Sequence, residues 1–223
     1  MSAIDYSVLV ADAIRRLFAA ADLPWPPPAQ AVAPVPLDRL IRTMKNLEHI
    51  ELSELTPAIA SDFLSSAGAR WPELRKDDTV LDGLLIAKAS GGYVFVRADA
   101  NNPLPRRRFT AAHELGHYLL HFLPSLESRP DPDAPFVRVD SVETVQECDE
   151  EKTADDKALS LPEMERQANR FAAELLMPEA VCRLASEQYK RASTRFLEHH
   201  LASNLLVSDT AIRWRLRNLG LAS

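Results

Sequence analysis

At 223 residues, with 46% hydrophobic and 26% charged side chains, the chain has the composition of a soluble globular protein large enough for one sizeable core. No apolar run approaches the ~20 residues of a membrane span, Met1–Tyr6 lacks the character of a signal peptide, and two distant cysteines, Cys148 and Cys182, argue against a disulfide scaffold, so a cytoplasmic location is expected. The net charge of −6 is local: eleven acids and four bases between Pro124 and Leu161 give −7, which leaves the remainder at +1 and carries no message about the surface as a whole.

Ile4 to Ala21 carries Val10, Ile14, Leu17 and Phe18 on roughly one side, which predicts an amphipathic helix. Pro24, Pro26, Pro27, Pro28, Pro34 and Pro36 then forbid helix and favour an extended, semi-rigid connector. Leu37 to Met44 and Pro57 to Ala67 read as helices. Gly83 to Ala89 and Tyr93 to Ala98 are rich in Leu, Ile, Val and aromatics, and with Ser90-Gly91-Gly92 between them they predict a β-hairpin. Asn101-Asn102-Pro103 ends the second strand. A helix follows, free of proline from Arg106 to Leu123. The acidic segment 124–161 reads as an insertion. Beyond it, Ser160-Leu161-Pro162-Glu163 fits a capping box, with Ser160 as N-cap, and opens a helix that runs to Met177. Pro178 starts another segment, in which Cys182 is expected to pack in the core. The division predicted is an N-terminal helix and connector (1–36), a core (37–191) with the insertion, and a helical C-terminal segment (192–223).

The run Arg108-Phe109-Thr110-Ala111-Ala112-His113-Glu114-Leu115-Gly116-His117 contains H-E-x-x-H in the middle of its predicted helix. Residues four apart on a helix share a face about one turn apart. His113 and His117 can therefore offer two imidazole nitrogens to one ion, with Glu114 beside it. That arrangement suits a Zn²⁺ hydrolase, in which the glutamate takes the proton of the attacking water.

A zinc site needs a third protein ligand. His121 lies one full turn beyond His117 and is expected to point along the helix, as a packing or helix-end histidine. The second helix offers Glu165 and Asn169 on one face, with Ala168 and Ala172 beside them to allow close approach of the two helices. Glu163 is taken by the capping box, and Glu174 lies on the opposite face from Glu165 at about 100° per residue. Glu165 is the predicted ligand, and Asn169 the residue that orients a ligand from behind.

The two motifs, R-F-T-x-A-H-E-L-G-H and E-x-x-A-N-x-F-A-x-x-L-L-M-P, resemble those of the ImmA/IrrE family of zinc metallopeptidases. The similarity extends more loosely from Leu37 to Leu221. It implies an α+β, mostly helical zincin-like fold with a small sheet before the H-E-x-x-H helix, in which 37–191 is the metallopeptidase core. It further implies zinc on His113, His117 and Glu165, Glu114 as general base, and a helix-turn-helix repressor as the substrate, cleaved to switch on stress, phage-defence or mobile-element genes. Single-stranded DNA as an activating signal belongs to the same expectation, with Arg106-Arg107-Arg108 as a small basic patch. The long acidic segment departs from the common pattern. Cys148, within it, is a candidate inhibitory fourth ligand. The residue that stabilises the oxyanion stays open among Tyr118, Tyr189, His199, His200 and the arginines.

A different class of function is also legible. Leu201 to Leu219 has a helix, a break at Leu206-Val207, an N-cap at Ser208 and a second helix carrying Arg213, Arg215 and Arg217, which resembles a DNA-binding helix-turn-helix. Those arginines do not share one face, so a packed helix pair is the preferred reading. A DNA-binding regulator or a non-catalytic zinc sensor is the alternative to a protease.

Overall fold

A computed structural model describes residues 6–28, 32–67, 71, 78–141, 159–189 and 194–221. The fold is α+β. In chain order the elements are α1 (Tyr6–Ala20), α2 (Leu37–Arg42), β1 (Leu47–Leu52), α3 (Pro57–Ser66), β2 (Leu81–Lys88), β3 (Gly91–Arg97), α4 (Leu104–His117), α5 (Leu123–Ser125), β4 (Phe136–Ser141), α6 (Leu161–Leu176), α7 (Glu179–Gln188), α8 (Thr194–Leu205) and α9 (Asp209–Asn218). Among the described residues, no helix is long and apolar enough to cross a membrane.

The strands form one sheet in the order β1-β3-β2-β4, with β1 parallel to β3 and the other pairs antiparallel. The predicted hairpin is β2–β3, with a tighter turn than expected: Lys88 pairs with Gly91, so Ala89 and Ser90 make the turn and both glycines join the strand. β1 and β4 have no counterpart in the sequence reading. Both are edge strands, and their polar residues blur the hydrophobic pattern that marks the central pair. β4 lies inside the segment read as an acidic insertion, so part of that insertion completes the sheet.

Every residue of β2 from Leu81 to Ala87 is buried, because helices cover both faces of the sheet. Leu84 and Ile86 pack with Ala60 and Leu64 of α3. Leu85 and Ala87 face the larger core, which they share with Ala111, Ala112 and Leu115 of α4 and Phe171, Ala172, Leu175 and Leu176 of α6. Val10, Ile14, Leu17 and Phe18 of α1 and Leu201, Leu205, Ile212 and Leu216 of the last two helices belong to the same core.

Two local devices place α4. At its start, buried Asp82 of β2 accepts from Arg97 Nη2 at 2.6 Å and from Arg106, while Asn102 Nδ2 donates to the Arg97 carbonyl at 2.6 Å. A buried carboxylate shared by two guanidinium groups ties the strand ends to the first turn of the helix. At its end, α4 passes into a π-turn, Tyr118–Phe122, in which the Leu123 N–H reaches back to the Tyr118 carbonyl. Pro124 supplies the reason: it has no N–H for the Leu120 carbonyl and its ring would crowd it, so the helix widens just before the proline.

Helix α6 starts as predicted. Glu163 Oε2 accepts from the Ser160 N–H at 2.9 Å and from the Ser160 hydroxyl at 2.8 Å. In the C-terminal pair, Ser208 Oγ caps α9 by accepting from the Ala211 N–H at 3.1 Å. Arg215 turns inward to Glu174 and to the Met177 carbonyl, the latter at 3.0 Å, so one of the three arginines read as a possible DNA-facing set holds α9 to the end of α6. Cys182 is buried, and burial pushes its thiol pKa up to about 11. Cys148 lies outside the described residues.

Candidate metal centre

Helices α4 and α6 meet because small residues line their crossing. A Cβ added to Gly116 would come within 3.0 Å of Phe171 Cδ1 and 3.2 Å of Ala168 Cα, so glycine lets the two backbones approach. This crossing brings Glu165 to the two histidines. His113 Nε2 lies 3.1 Å from Glu165 Oε2, His117 Nε2 lies 3.2 Å from Glu165 Oε1, and the two Nε2 atoms are 3.0 Å apart. Among the described residues, these three form a group whose ligand atoms all lie within 4.8 Å of one another.

The atoms behind the histidines determine which nitrogen faces the centre. His113 Nδ1 is 3.0 Å from Asn169 Oδ1, which can only accept, so His113 carries its proton on Nδ1. His117 Nδ1 is 2.9 Å from His121 Nδ1, and His121 Nε2 is 3.2 Å from Gln167 Oε1. Gln167 Oε1 accepts from His121 Nε2–H, which leaves His121 Nδ1 to accept from His117 Nδ1–H. Both ligand histidines thus present an Nε2 lone pair inward. Burial and the neighbouring His117 push the His121 pKa down to about 4, which keeps it neutral and able to accept.

His121 therefore differs from its sequence reading. It does not pack passively at a helix end: its Nδ1 meets His117 Nδ1 and orients that ring. The i, i+4 spacing was visible in the sequence, but the Gln167 oxygen that fixes the tautomer of His121 comes from the facing helix. Gln167 was likewise not singled out, although it stands on the buried side of α6.

Two inward lone pairs and a carboxylate at about 3 Å separations repel unless a cation, a proton or a metal ion, sits among them. Around a tetrahedral Zn²⁺ with bonds of about 2.0–2.1 Å, ligand atoms stand roughly 3.3 Å apart, close to the spacing of these three. The donor set, two imidazoles and one carboxylate with the rings fixed from behind, fits zinc with a fourth position open. Burial would raise the Glu165 carboxyl pKa, but the two imidazoles outweigh it whenever either carries a proton on Nε2, and hold the group well below the carboxylate range. Burial lowers the His117 pKa, with His113 adding to that. The alternatives to Glu165 are engaged elsewhere: Glu163 with Ser160, and Glu174 with Arg215 and the Glu179 N–H.

Glu114 is buried on the sheet side of α4. It lies against Gly83 of β2, where an added Cβ would stand 2.8 Å from Glu114 Oε1 and 2.5 Å from Thr110 Cγ2. Gly83 thus makes room for the carboxylate. A lone glycine in an otherwise Leu- and Ile-rich strand was the sequence signal for such a close approach. The three arginines at the start of α4 are all engaged with protein groups: Arg106 with Asp82, Arg107 with Glu51 at 2.8 Å, and Arg108 with the Val35 carbonyl at 2.8 Å.

This arrangement can bind a divalent ion, and the same helix carries a buried carboxylate one residue from a candidate ligand, which is the equipment of a metal-dependent hydrolase. No curated protein matches the sequence. The family model for the IrrE N-terminal-like domain, peptidase family M78, matches residues 78–135 and 144–217, a span that contains both helices of the centre and the C-terminal pair. The chain therefore belongs to this peptidase family.

Proposed function

We propose that the protein is a zinc-dependent endopeptidase that cleaves a helix-turn-helix transcriptional repressor, relieving repression of stress, phage-defence or mobile-element genes. The observation that carries the reading is the convergence of His113 Nε2, His117 Nε2 and a Glu165 oxygen at 3.0–3.2 Å. Zinc bound there would polarise a peptide carbonyl and make water a better nucleophile at neutral pH.

The residues divide the remaining work. His113, His117 and Glu165 hold the ion, Asn169 and His121 fix the two rings, and Glu114 accepts the proton of the attacking water and passes it to the leaving amine. A proton carrier of this kind contributes roughly 10²–10⁴ in rate. Packing between α4 and β2 keeps the Glu114 carboxylate out of bulk water.

Metal analysis of the purified protein should give one zinc per chain. Glu114→Gln should keep that zinc and lose cleavage of the repressor, tested first on a small helix-turn-helix protein encoded next to this gene. Appreciable proteolysis by the glutamine variant would assign the base to another residue. Repeating the assay with single-stranded DNA tests that signal as an activator, and a gel shift with duplex DNA tests the regulator reading. We also propose that Cys148 holds the enzyme silent as a fourth zinc ligand, thiolate sulfur being a strong one at about 2.3 Å. Unchanged basal cleavage by Cys148→Ser, with no activating signal present, would remove that idea.

A further inference from the structure

Metal binding and proton transfer leave one demand of peptide hydrolysis unassigned, the negative oxygen that forms on the substrate carbonyl. Among the candidates named from sequence, the tyrosines and histidines are engaged in other contacts or exposed. Tyr118 is buried in the main core, Tyr189 packs against His200 with tilted rings whose centroids are 5.1 Å apart, and His199 is exposed on α8. The edge strand β4 supplies one of the arginines. Arg138 pairs with Leu85 and Phe136 with Ala87, so Arg138 stands on the same sheet face as these residues, the face turned to α4. Gly83, against which Glu114 lies, is two residues from Leu85 on that face.

The Arg138 guanidinium is held in place by neutral groups. Nη2 donates to Met164 Sδ at 3.4 Å, one residue before Glu165, Nη1 donates to the Val137 carbonyl at 3.0 Å, and the Phe136 ring lies 4.5 Å beneath it. Its Nε is buried with no hydrogen-bond partner among the described residues. The side chain is half-buried. Burial pulls its pKa down, while the charges of Glu165 and Glu114 hold it up. A partly desolvated cation, fixed by uncharged contacts and within electrostatic reach of Glu165 and Glu114, is organised to receive negative charge. The family match passes over residues 136–143, so this group stands outside the matched pattern.

We propose that Arg138 is a catalytic residue whose guanidinium donates to the oxyanion of the tetrahedral intermediate, an assignment that rests on the metallopeptidase reading. As the water oxygen bonds to the carbonyl carbon, Glu114 takes the water proton and the C=O π pair moves onto oxygen beside Arg138. When the intermediate collapses, that pair re-forms C=O, the C–N bond breaks, and the Glu114 proton goes to the amine nitrogen.

The test compares two probes on zinc-loaded protein by calorimetry: acetohydroxamate, and a phosphinic pseudodipeptide in which a methylene phosphinate replaces the peptide bond. The phosphinate mimics the tetrahedral anion. Arg138→Gln should weaken phosphinate binding on the order of 10²-fold, the scale for removing one oxyanion donor, with acetohydroxamate binding and zinc content unchanged. Arg138→Lys should recover part of the loss. Equal phosphinate affinity in wild type and Arg138→Gln overturns the assignment, as does an equal loss for both probes, which would make Arg138 structural. Zinc-loaded wild type that binds neither probe overturns the metallopeptidase reading itself, and Arg138's role with it.

Discussion

Two helix crossings in this molecule bury charged or polar side chains, and they end in opposite chemical states. Where α9 meets the end of α6, Arg215 is nearly enclosed and its partners are Glu174 and the Met177 carbonyl, so cation and anion close on each other. Where α4 meets α6, His113, His117 and Glu165 bring three electron-rich atoms together at 3.0–3.2 Å, and every hydrogen bond behind them sharpens the inward lone pairs. The first cluster is complete as it stands. The second is complete only around a cation. Burial and polarity are common to both, and what separates structure from function is whether the charges cancel within the cluster.

The comparison breaks if the second cluster does not depend on all three ligands. Glu165→Ala is expected to lose most of its zinc under mild chelation, measured by metal analysis after dialysis. Glu163→Ala should keep it, because Glu163 serves the Ser160 cap. The reverse outcome would move the third ligand to Glu163. Smaller in size is the effect expected behind His117. His121→Phe keeps the ring and removes the acceptor for His117 Nδ1–H, so zinc affinity should fall by about 10- to 100-fold in competition with a chelating dye. An unchanged affinity would return His121 to a packing role. The smallest effect on the centre is expected from the other crossing. Arg215→Met should cost about 2 kcal/mol in urea unfolding, between the ranges for exposed and buried ion pairs, with zinc affinity unaffected. Loss of zinc in that variant would show that the two crossings are coupled through α6.

Much of this centre is legible in the chain because its parts are local. Helical spacing places His113 and His117 on one face, the capping box starts α6 at Ser160, and the i, i+4 relation puts Asn169 beside Glu165. Small residues at 168 and 172 announce a close helix partner, and the structure brings Gly116 of α4 against Ala168. The central hairpin is legible for the same reason, since its residues are apolar enough to be buried on both faces. Polar edge strands carry no such signal. β1 and β4 are strands because β3 and β2 offer them hydrogen-bonding edges, and neither their composition nor their periodicity marks them.

The sequence by itself pointed to the His113, His117 and Glu165 group, the helices that carry it and the peptidase family, because each rests on spacing within one element or on a motif read in order. Tertiary structure decided what stands behind and across from those ligands. His121 finds Gln167 on the facing helix, Glu114 finds room because a glycine lies in the strand opposite, and Arg138 meets Met164, next to Glu165, because part of the acidic segment supplies the edge strand beside β2. These contacts join residues whose proximity depends on the path of the backbone in space, and no local periodicity encodes it.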